Sequence, residues 1–499
     1  MAAQTDNPPV SPSGTSGTTA RPAFRMFDMV LFSVAAMLLL SQLTVTASVG
    51  PTAIFWTVLI IGAFFVPYGL VTAELGSAYP DAGGIYAWVV RAFGNRWGSR
   101  VSWWYWVNVG LWVPSVYLMF SGAISSMFFD GELSFWVQIA ITVALIWINY
   151  WVNARSLETG TWVSNLGAGI TLAVIAALAV AGGIFAAQNG SATEWSWSSV
   201  LPTDAGPAFA AALPIVIYNF LGFELMSSAS TQMENPKRDV PRTIAIAGVL
   251  IGGFYLTATV GMQLIFPAEE ISDTTGLLDA LRLGFGESTV ADVVVTTVGI
   301  GALFCFFACL VPWTIGANLA AAESAQQGDL PKVFARTHPE RGTPVGAAML
   351  CSVVGTVFTV GYAVLFSFTD GAIDDVFWNL FAFSSVIFLL PYIVMMLAFG
   401  KLRRIDPDRA RPYRVPGGAG LTTAITWVPT VLLGLAAVFF VWNPWDYSWG
   451  VTGSILLGLA VTVALQEYFC FKSPGWTRAR AIERGEDPDT ARQFADAPH

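Results

Sequence analysis

The chain has 499 residues, is 55% hydrophobic and only 11% charged, against roughly 25% charged residues in a soluble domain. A soluble fold of this size would lack the polar surface it needs, whereas residues 27 to 471 repeat apolar stretches of roughly 20 residues, enough to cross a hydrocarbon core of about 30 Å. The net charge of −9 comes from acidic residues mostly in loops on one side, so it reports topology and implies no nucleic-acid partner.

Residues 1–25 form a Ser/Thr/Pro/Gly-rich tail with no apolar region, expected to be a disordered cytoplasmic segment and not a cleavable signal peptide. Hydropathy then predicts spans near 27–49, 52–77, 99–127, 135–152, 162–187, 209–231, 242–266, 290–325, 345–367, 376–399, 423–442 and 449–471. The eighth is long enough to project from the bilayer at its cytoplasmic end or to bend. Cys305, Cys309, Cys351 and Cys470 all fall in apolar segments and read as small hydrophobes.

Lys and Arg accumulate in one set of loops, from Arg91, Arg96 and Arg100 through Lys237 and Lys332 to Arg414, while the opposite set holds Arg282 alone. Positive loops stay cytoplasmic, so both termini are expected inside, and that requires an even number of spans. Five spans followed by five more place the second set upside down relative to the first. The expected organisation is a first inverted repeat at 26–187, an extracytoplasmic loop at 188–208 and a second repeat at 209–400. A basic loop at 401–422, two further spans at 423–471 and a cytoplasmic tail at 472–499 complete it. Such repeats place the binding site at the midplane, where the first helix of each repeat breaks.

Span 6 carries Pro214, Tyr218, Asn219, Gly222 and Glu224 in one apolar helix. Each weakens a continuous helix or needs a partner. Glu224 is the carboxylate in the middle of a span, whereas Asp28, Glu74, Glu158, Glu323 and Glu467 lie near predicted ends. A buried ionisable group marks an ion or substrate path; the alternative is a protonated or backbone-paired Glu that ties helices together. Span 1 has its polar stretch at Ser41, Gln42, Thr44 and Thr46. Paired with span 6, its exposed amide N–H groups would hold a carboxylate and its unwound carbonyls an ammonium. Trp313, beside Pro312 in span 8, is a candidate platform for an amino group or an apolar contact. Trp103, Trp104, Trp106 and Trp112 of span 3 read mostly as interface anchors or packing.

Several motifs resemble the amino acid, polyamine and organocation permeases, most closely the bacterial glutamate/GABA antiporters. They are Ala73-Glu74, Pro80 to Val89, Phe93 to Gly98, Gly222-Phe223-Glu224 with Glu234 to Pro241, and Arg411 to Gly418. The resemblance covers roughly residues 25–470. It implies an all-α integral membrane fold of twelve transmembrane helices. The core would be a LeuT-like 5+5 inverted repeat with helices 1 and 6 broken, plus two additional helices. It also implies that Glu224 takes the place of the acidic residue that relatives such as the arginine/agmatine antiporter use in proton-dependent gating. Tyr218 falls where that antiporter has a substrate-stacking Trp, and Trp313 on its inner gating Trp. Span 1 departs from many relatives in having no glycine between Ser41 and Val45. Span 8 lacks the Ser/Thr pair of sodium-coupled relatives over Ala308 to Pro312, and span 5 lacks a lysine. The tail after Lys472 is shorter and more charged than the C-terminal plug of the glutamate/GABA branch.

The expected function is therefore secondary active transport of amino acids by alternating access, through proton-influenced exchange or proton-coupled uptake. The alternatives are a polyamine or amine permease, and a non-transporting membrane sensor. The expected partners are an amino acid or amine, protons and the lipid bilayer of a bacterial inner membrane; no cofactor, metal or nucleic acid is implied. An enzyme needs convergent catalytic groups, and the two histidines, His338 and His499, lie in a loop and at the terminus.

Overall fold

A computed structural model describes residues 30, 34, 37–79, 84–155, 158–224, 236–326, 328–368, 372–445 and 448–471. The expected terminal tails and the motif residues Pro80 to Gly83, Glu234 and Asn235 lie outside them. The described helices are α1 (Leu43–Ala47), α2 (Thr52–Ala78), α3 (Ile85–Phe93), α4 (Asn95–Phe129), α5 (Phe135–Arg155), α6 (Glu158–Asn189), α7 (Ala205–Asn219) and α8 (Pro236–Gln263). They continue as α9 (Gly276–Phe285), α10 (Thr289–Ala308), α11 (Leu310–Gln326), α12 (Val345–Ser367), α13 (Ile373–Ile405), α14 (Ala419–Val441) and α15 (Trp449–Phe471).

Ten stretches among the described residues are long and apolar enough to cross a membrane, with α10 and α11 counted as one. They coincide with ten of the expected spans. The segments that do not qualify belong to spans 1 and 6, where interruptions were expected. The chain is thus a multi-pass membrane protein. The long eighth span is interrupted at Cys309, between α10 and α11. Pro312 there has no N–H to give to the preceding turn, which removes one helical hydrogen bond at the interruption.

Two short amphipathic helices, α3 and α9, stand where only loops were expected, because hydropathy windows sized for a membrane crossing miss helices of nine or ten residues. Gly94, at φ 82°, allows the sharp turn from α3 into α4. Tyr86 of α3 donates to Asp329 at 2.7 Å, and Asn95 donates to the same carboxylate at 3.1 Å, which pins α3 beneath the end of α11.

The interior belongs to α4 and α13, which pack extensively on each other. Their apolar windows are 89% and 83% buried, against 22% in α15 and 28% in α5. The outer helices instead show apolar stripes. On α12, Met349, Val353, Val357, Val360 and Val364 recur every three or four residues and are exposed. A stripe of that kind is stable only against lipid or another apolar surface. The Trp103, Trp104, Trp106 and Trp112 side chains of α4 are all buried in the bundle, so the interface-anchor reading gives way to packing.

At the Lys/Arg-rich end a buried ion cluster fastens the loop after α13 to α2. Glu74 is 1% exposed. Arg403 donates to it through Nε at 2.8 Å, Arg411 Nε lies 3.2 Å from the same oxygen, and the Val415 N–H donates to the other oxygen at 2.6 Å. Tyr79 donates to Asp406 at 2.9 Å, and Arg409 donates to the carbonyl of Ala78 at 3.0 Å. Glu74→Ala would leave two largely buried guanidinium groups without their counter-charge, at a cost of about 3 kcal/mol or more. Unfolding followed in detergent by intrinsic fluorescence should show a clear drop in apparent Tm, with Glu74→Gln falling between the variant and the parent.

Candidate functional site

The site is built around two interruptions in apolar helices. In the first, the helix containing Val34 and Met37 ends, and Leu39 is extended at φ −105° and ψ 123°. A 3-10 turn, Leu40–Gln42, then leads into α1. In the second, α7 stops at Asn219, and Gly222 takes φ 116° before a tight turn through Phe223 and Glu224. The two interruptions differ in what they ask of the sequence. Leu39 sits in a region open to any residue, which is why span 1 needs no glycine. At Gly222 the positive φ favours glycine, and a Cβ there would also lie 3.2 Å from the Trp313 ring.

Each interruption exposes backbone groups in a setting without water, where unpaired groups are costly. A tyrosine hydroxyl meets them in both cases. Tyr255 of α8 accepts from the Leu39 N–H at 3.2 Å and donates to the Met37 carbonyl at 2.8 Å. Tyr68 of α2 accepts from the N–H groups of Gly222 at 3.3 Å and Phe223 at 3.0 Å. Just before Tyr68, α2 widens into a π turn at Ile61–Phe65, a local distortion found often at functional sites.

The Tyr68 hydroxyl also donates to Glu224 at 2.5 Å, and Tyr392 of α13 donates to the other carboxylate oxygen at 2.6 Å. Glu224 is 5% exposed, and both its oxygens rest on neutral hydroxyls. Around it lies a layer of aromatic rings centred on Phe388. The Phe388 ring is 5.0 Å from Tyr392, 5.5 Å from Tyr218, 5.9 Å from Trp313 and 5.9 Å from Tyr105. Trp313 in turn meets Trp112 edge-on at 5.8 Å.

The sequence-derived candidates therefore separate into groups. Gly222, Trp313, Tyr218 and Glu224 converge on the second interruption and its ring layer. Asn219 donates to Thr46 at 2.8 Å and so ties α7 to α1, leaving its own carbonyl oxygen unpartnered. Ser41 and Gln42 lie in the 3-10 turn next to the first interruption, which itself falls at Leu38 and Leu39. The Ser41 hydroxyl and the Gln42 side-chain carbonyl are buried without a partner among the described residues. Thr44 points elsewhere: its hydroxyl donates to the Asp273 carbonyl at 2.9 Å, docking the loop before α9 onto α1.

Sequence reasoning missed Tyr68, Tyr255, Tyr392 and Phe388. A signal existed for two of them, since Pro67-Tyr68 and Pro391-Tyr392 each place a hydroxyl beside a helix-weakening proline inside an apolar span.

Two interrupted helices, their backbone ends held by hydroxyls around a buried carboxylate, define a membrane carrier built on the permease plan. Comparison with known families agrees: residues 24–461 match the amino acid permease family. The chain belongs to that family. It is 30% identical to the probable agmatine/putrescine antiporter of Lactococcus lactis over 416 residues, 83% of this chain and 87% of the relative. It is 27% identical to an uncharacterized transporter of Legionella pneumophila over 405 residues, 80% and 85% of the two chains. It is 24% identical to the mouse b(0,+)-type amino acid transporter 1 over 458 residues, 88% and 84% of the two chains.

Two outcomes follow from the geometry. Tyr68→Phe removes an acceptor from two backbone N–H groups and a donor from Glu224, whereas Tyr392→Phe removes only a donor. At about 1–3 kcal/mol for each buried group left unpaired, the first substitution should lower the apparent Tm well beyond the second. The docked loop supplies the other test. Asp273 is half-buried, and burial together with the nearby Asp374 charge pushes its carboxyl up to about 7. Asp374 itself accepts from Ser272 at 2.9 Å and from Thr274. The docked loop thus favours protonated Asp273, and that stabilisation is lost as pH rises through about 7. Amide exchange over residues 272–276, corrected for intrinsic rates, should be faster at about pH 8 than at about pH 6, and Asp273→Asn should abolish the difference.

Proposed function

We propose that this chain is an alternating-access exchanger of positively charged amines, such as diamines, guanidino-amines or cationic amino acid derivatives, with Glu224 as the coupling group. One observation carries the reading: Glu224 is buried against two neutral hydroxyls, and among the described residues no cationic side chain pairs with it. A charged carboxylate in a low-dielectric interior requires a counter-charge. A proton or a substrate ammonium can supply it, and each displaces the other. Competition of that kind couples proton and amine movement, or enforces amine-for-amine exchange, without a separate ion site.

Other features support a cation over glutamate or GABA. Apart from the Glu74 cluster, where Arg403 and Arg411 supply the counter-charge, the buried charged residues among those described are acidic: Glu224 and Asp329. An anionic substrate would bring a second uncompensated charge to Glu224. At the acidic end of the bundle a recess of about 570 Å³ is lined by Asp130, Asp279, Glu287 and Asp292 with a single cation, Arg282, a setting that concentrates cations. The Lactococcus lactis relative is named for agmatine and putrescine.

The same reading includes twelve spans, with 26–187 and 209–400 as inverted repeats, both termini in the cytoplasm, and a bacterial inner membrane as the site. The two tyrosines support the repeat. Tyr68 lies 29 residues after Leu39, and Tyr255 lies 33 residues after Gly222. Each serves the interruption in the other half of the chain. Tyr68 pairs with the second and Tyr255 with the first, as two halves related by a pseudo-two-fold axis would do.

The test is uptake of labelled agmatine, putrescine, glutamate and GABA into proteoliposomes at about pH 5.5 and 7.5, with and without internal amine. The expected result is uptake of the amines alone, dependent on internal amine. Glu224→Gln should reduce it by about ten-fold or more, the equivalent of roughly 1.4 kcal/mol, and should flatten its pH dependence. Glutamate or GABA uptake unaffected by Glu224→Gln would overturn the proposal.

A further inference from the structure

The ring layer has a second side, formed by α4. Tyr105, Asn108 and Trp112 are spaced by three and four residues and therefore share one face of that helix. Tyr105 packs on Phe388 at 5.9 Å, and Trp112 packs on Trp313 at 5.8 Å. Asn108 falls between them on that face of α4. It is 1% exposed, and its side-chain carbonyl oxygen has no hydrogen-bond partner among the described residues.

Such a group is unusual in a native interior, where buried polar atoms are paired in the great majority of cases. The bundle pairs comparable amides nearby. Asn318 accepts from the Trp106 indole at 3.1 Å, and Asn153 donates to Asn149 at 2.9 Å while accepting from Thr314 at 3.1 Å. Asn108, by contrast, stands unpaired on the helix face whose neighbours Tyr105 and Trp112 pack on the ring layer. At the two interruptions, the Gln42 and Asn219 side-chain carbonyl oxygens are also buried without a partner among the described residues.

We propose that Asn108 reads the far end of the substrate, its side-chain carbonyl accepting a hydrogen bond from a terminal ammonium or guanidinium group. This inference rests on the amine reading of the site and deepens it: the substrate carries a hydrogen-bond donor at each end. The Trp112 indole N–H, one turn along, is also without a partner, and it is the group that a carboxylate-tailed ligand would use. The donor-tailed ligand is favoured because the largely buried guanidinium groups among the described residues, those of Arg403 and Arg411, are already committed to Glu74. An anionic tail would have only neutral donors to offset its desolvation.

The test uses the full chain in proteoliposomes and measures competition against labelled putrescine by unlabelled putrescine, butylamine and GABA. These share a four-carbon chain and differ at the far end. The parent protein should prefer putrescine to butylamine by about ten-fold or more, as expected for a hydrogen bond to a charged donor. Asn108→Leu should bring the two within about two-fold, by weakening putrescine while leaving butylamine unchanged. Retained butylamine competition also shows that the variant is folded, and Asn108→Ser, which keeps a small polar group, should give an intermediate preference. If discrimination survives in both variants while amine transport persists, Asn108 does not read the substrate and this inference falls alone. If GABA outcompetes butylamine in the parent and loses that advantage in Asn108→Leu, the far end is an acceptor and the assigned class is overturned. If no amine competes in the parent, the amine reading and this inference fall together.

Discussion

The arrangement depends on one constraint: a backbone released from a helix inside an apolar interior must find hydrogen-bond partners there. Two tyrosine hydroxyls meet that need, Tyr255 at Met37 and Leu39 and Tyr68 at Gly222 and Phe223. Without them the two helices would gain by closing into continuous turns, and the polar groups between them would lose their reason to be buried. The interruptions are therefore properties of four helices acting together.

Tyr68 links this backbone role to charge. The same oxygen that accepts from two N–H groups donates to Glu224. A hydrogen bond to a carboxylate is roughly twice as strong as one to a neutral group, so neutralising Glu224 weakens its hold on Tyr68 and, through it, on the turn at Gly222. The Trp313 ring rests on that glycine. A change of charge at one carboxyl group thus reaches the backbone, the ring layer and α11 through direct contacts.

The same helices are joined again at their Lys/Arg-rich end. Tyr68 and Glu74 both lie on α2, while Tyr392 and Arg403 both lie on α13. Glu224 bridges the pair at the level of the interruptions, and the Glu74 cluster fastens them one or more turns further on. Motion of α2 against α13 must therefore break either the buried ion pairs or the Glu224 bridge. A movement that keeps the costly ion cluster intact would pivot about it and open the helices at Glu224.

Much of this was legible in the sequence. Long apolar runs set the positions of the spans, because crossing a hydrocarbon layer demands both length and composition. Glu224 stood out as a carboxylate within a span, Gly222 as its flexible neighbour, and Trp313 as an aromatic beside a proline. The short helices α3 and α9 escaped, being too brief for a membrane crossing, while the tryptophans of α4, open to interface anchoring or packing on sequence alone, are packed inside the bundle. Tyr255, Phe388 and Asn108 could not be singled out, and Tyr68 and Tyr392 had only an adjacent proline to mark them, since an aromatic or an amide in an apolar run looks like packing until its partner is known. Those partners lie 156, 168 and 216 residues away for the Glu224 and Leu39 contacts. What the sequence determined by itself were the properties that each segment carries locally: hydrophobic length, loop charge and the cost of one buried carboxylate. Only the tertiary structure decided which hydroxyl meets which orphaned amide, because that pairing depends on how distant helices pack.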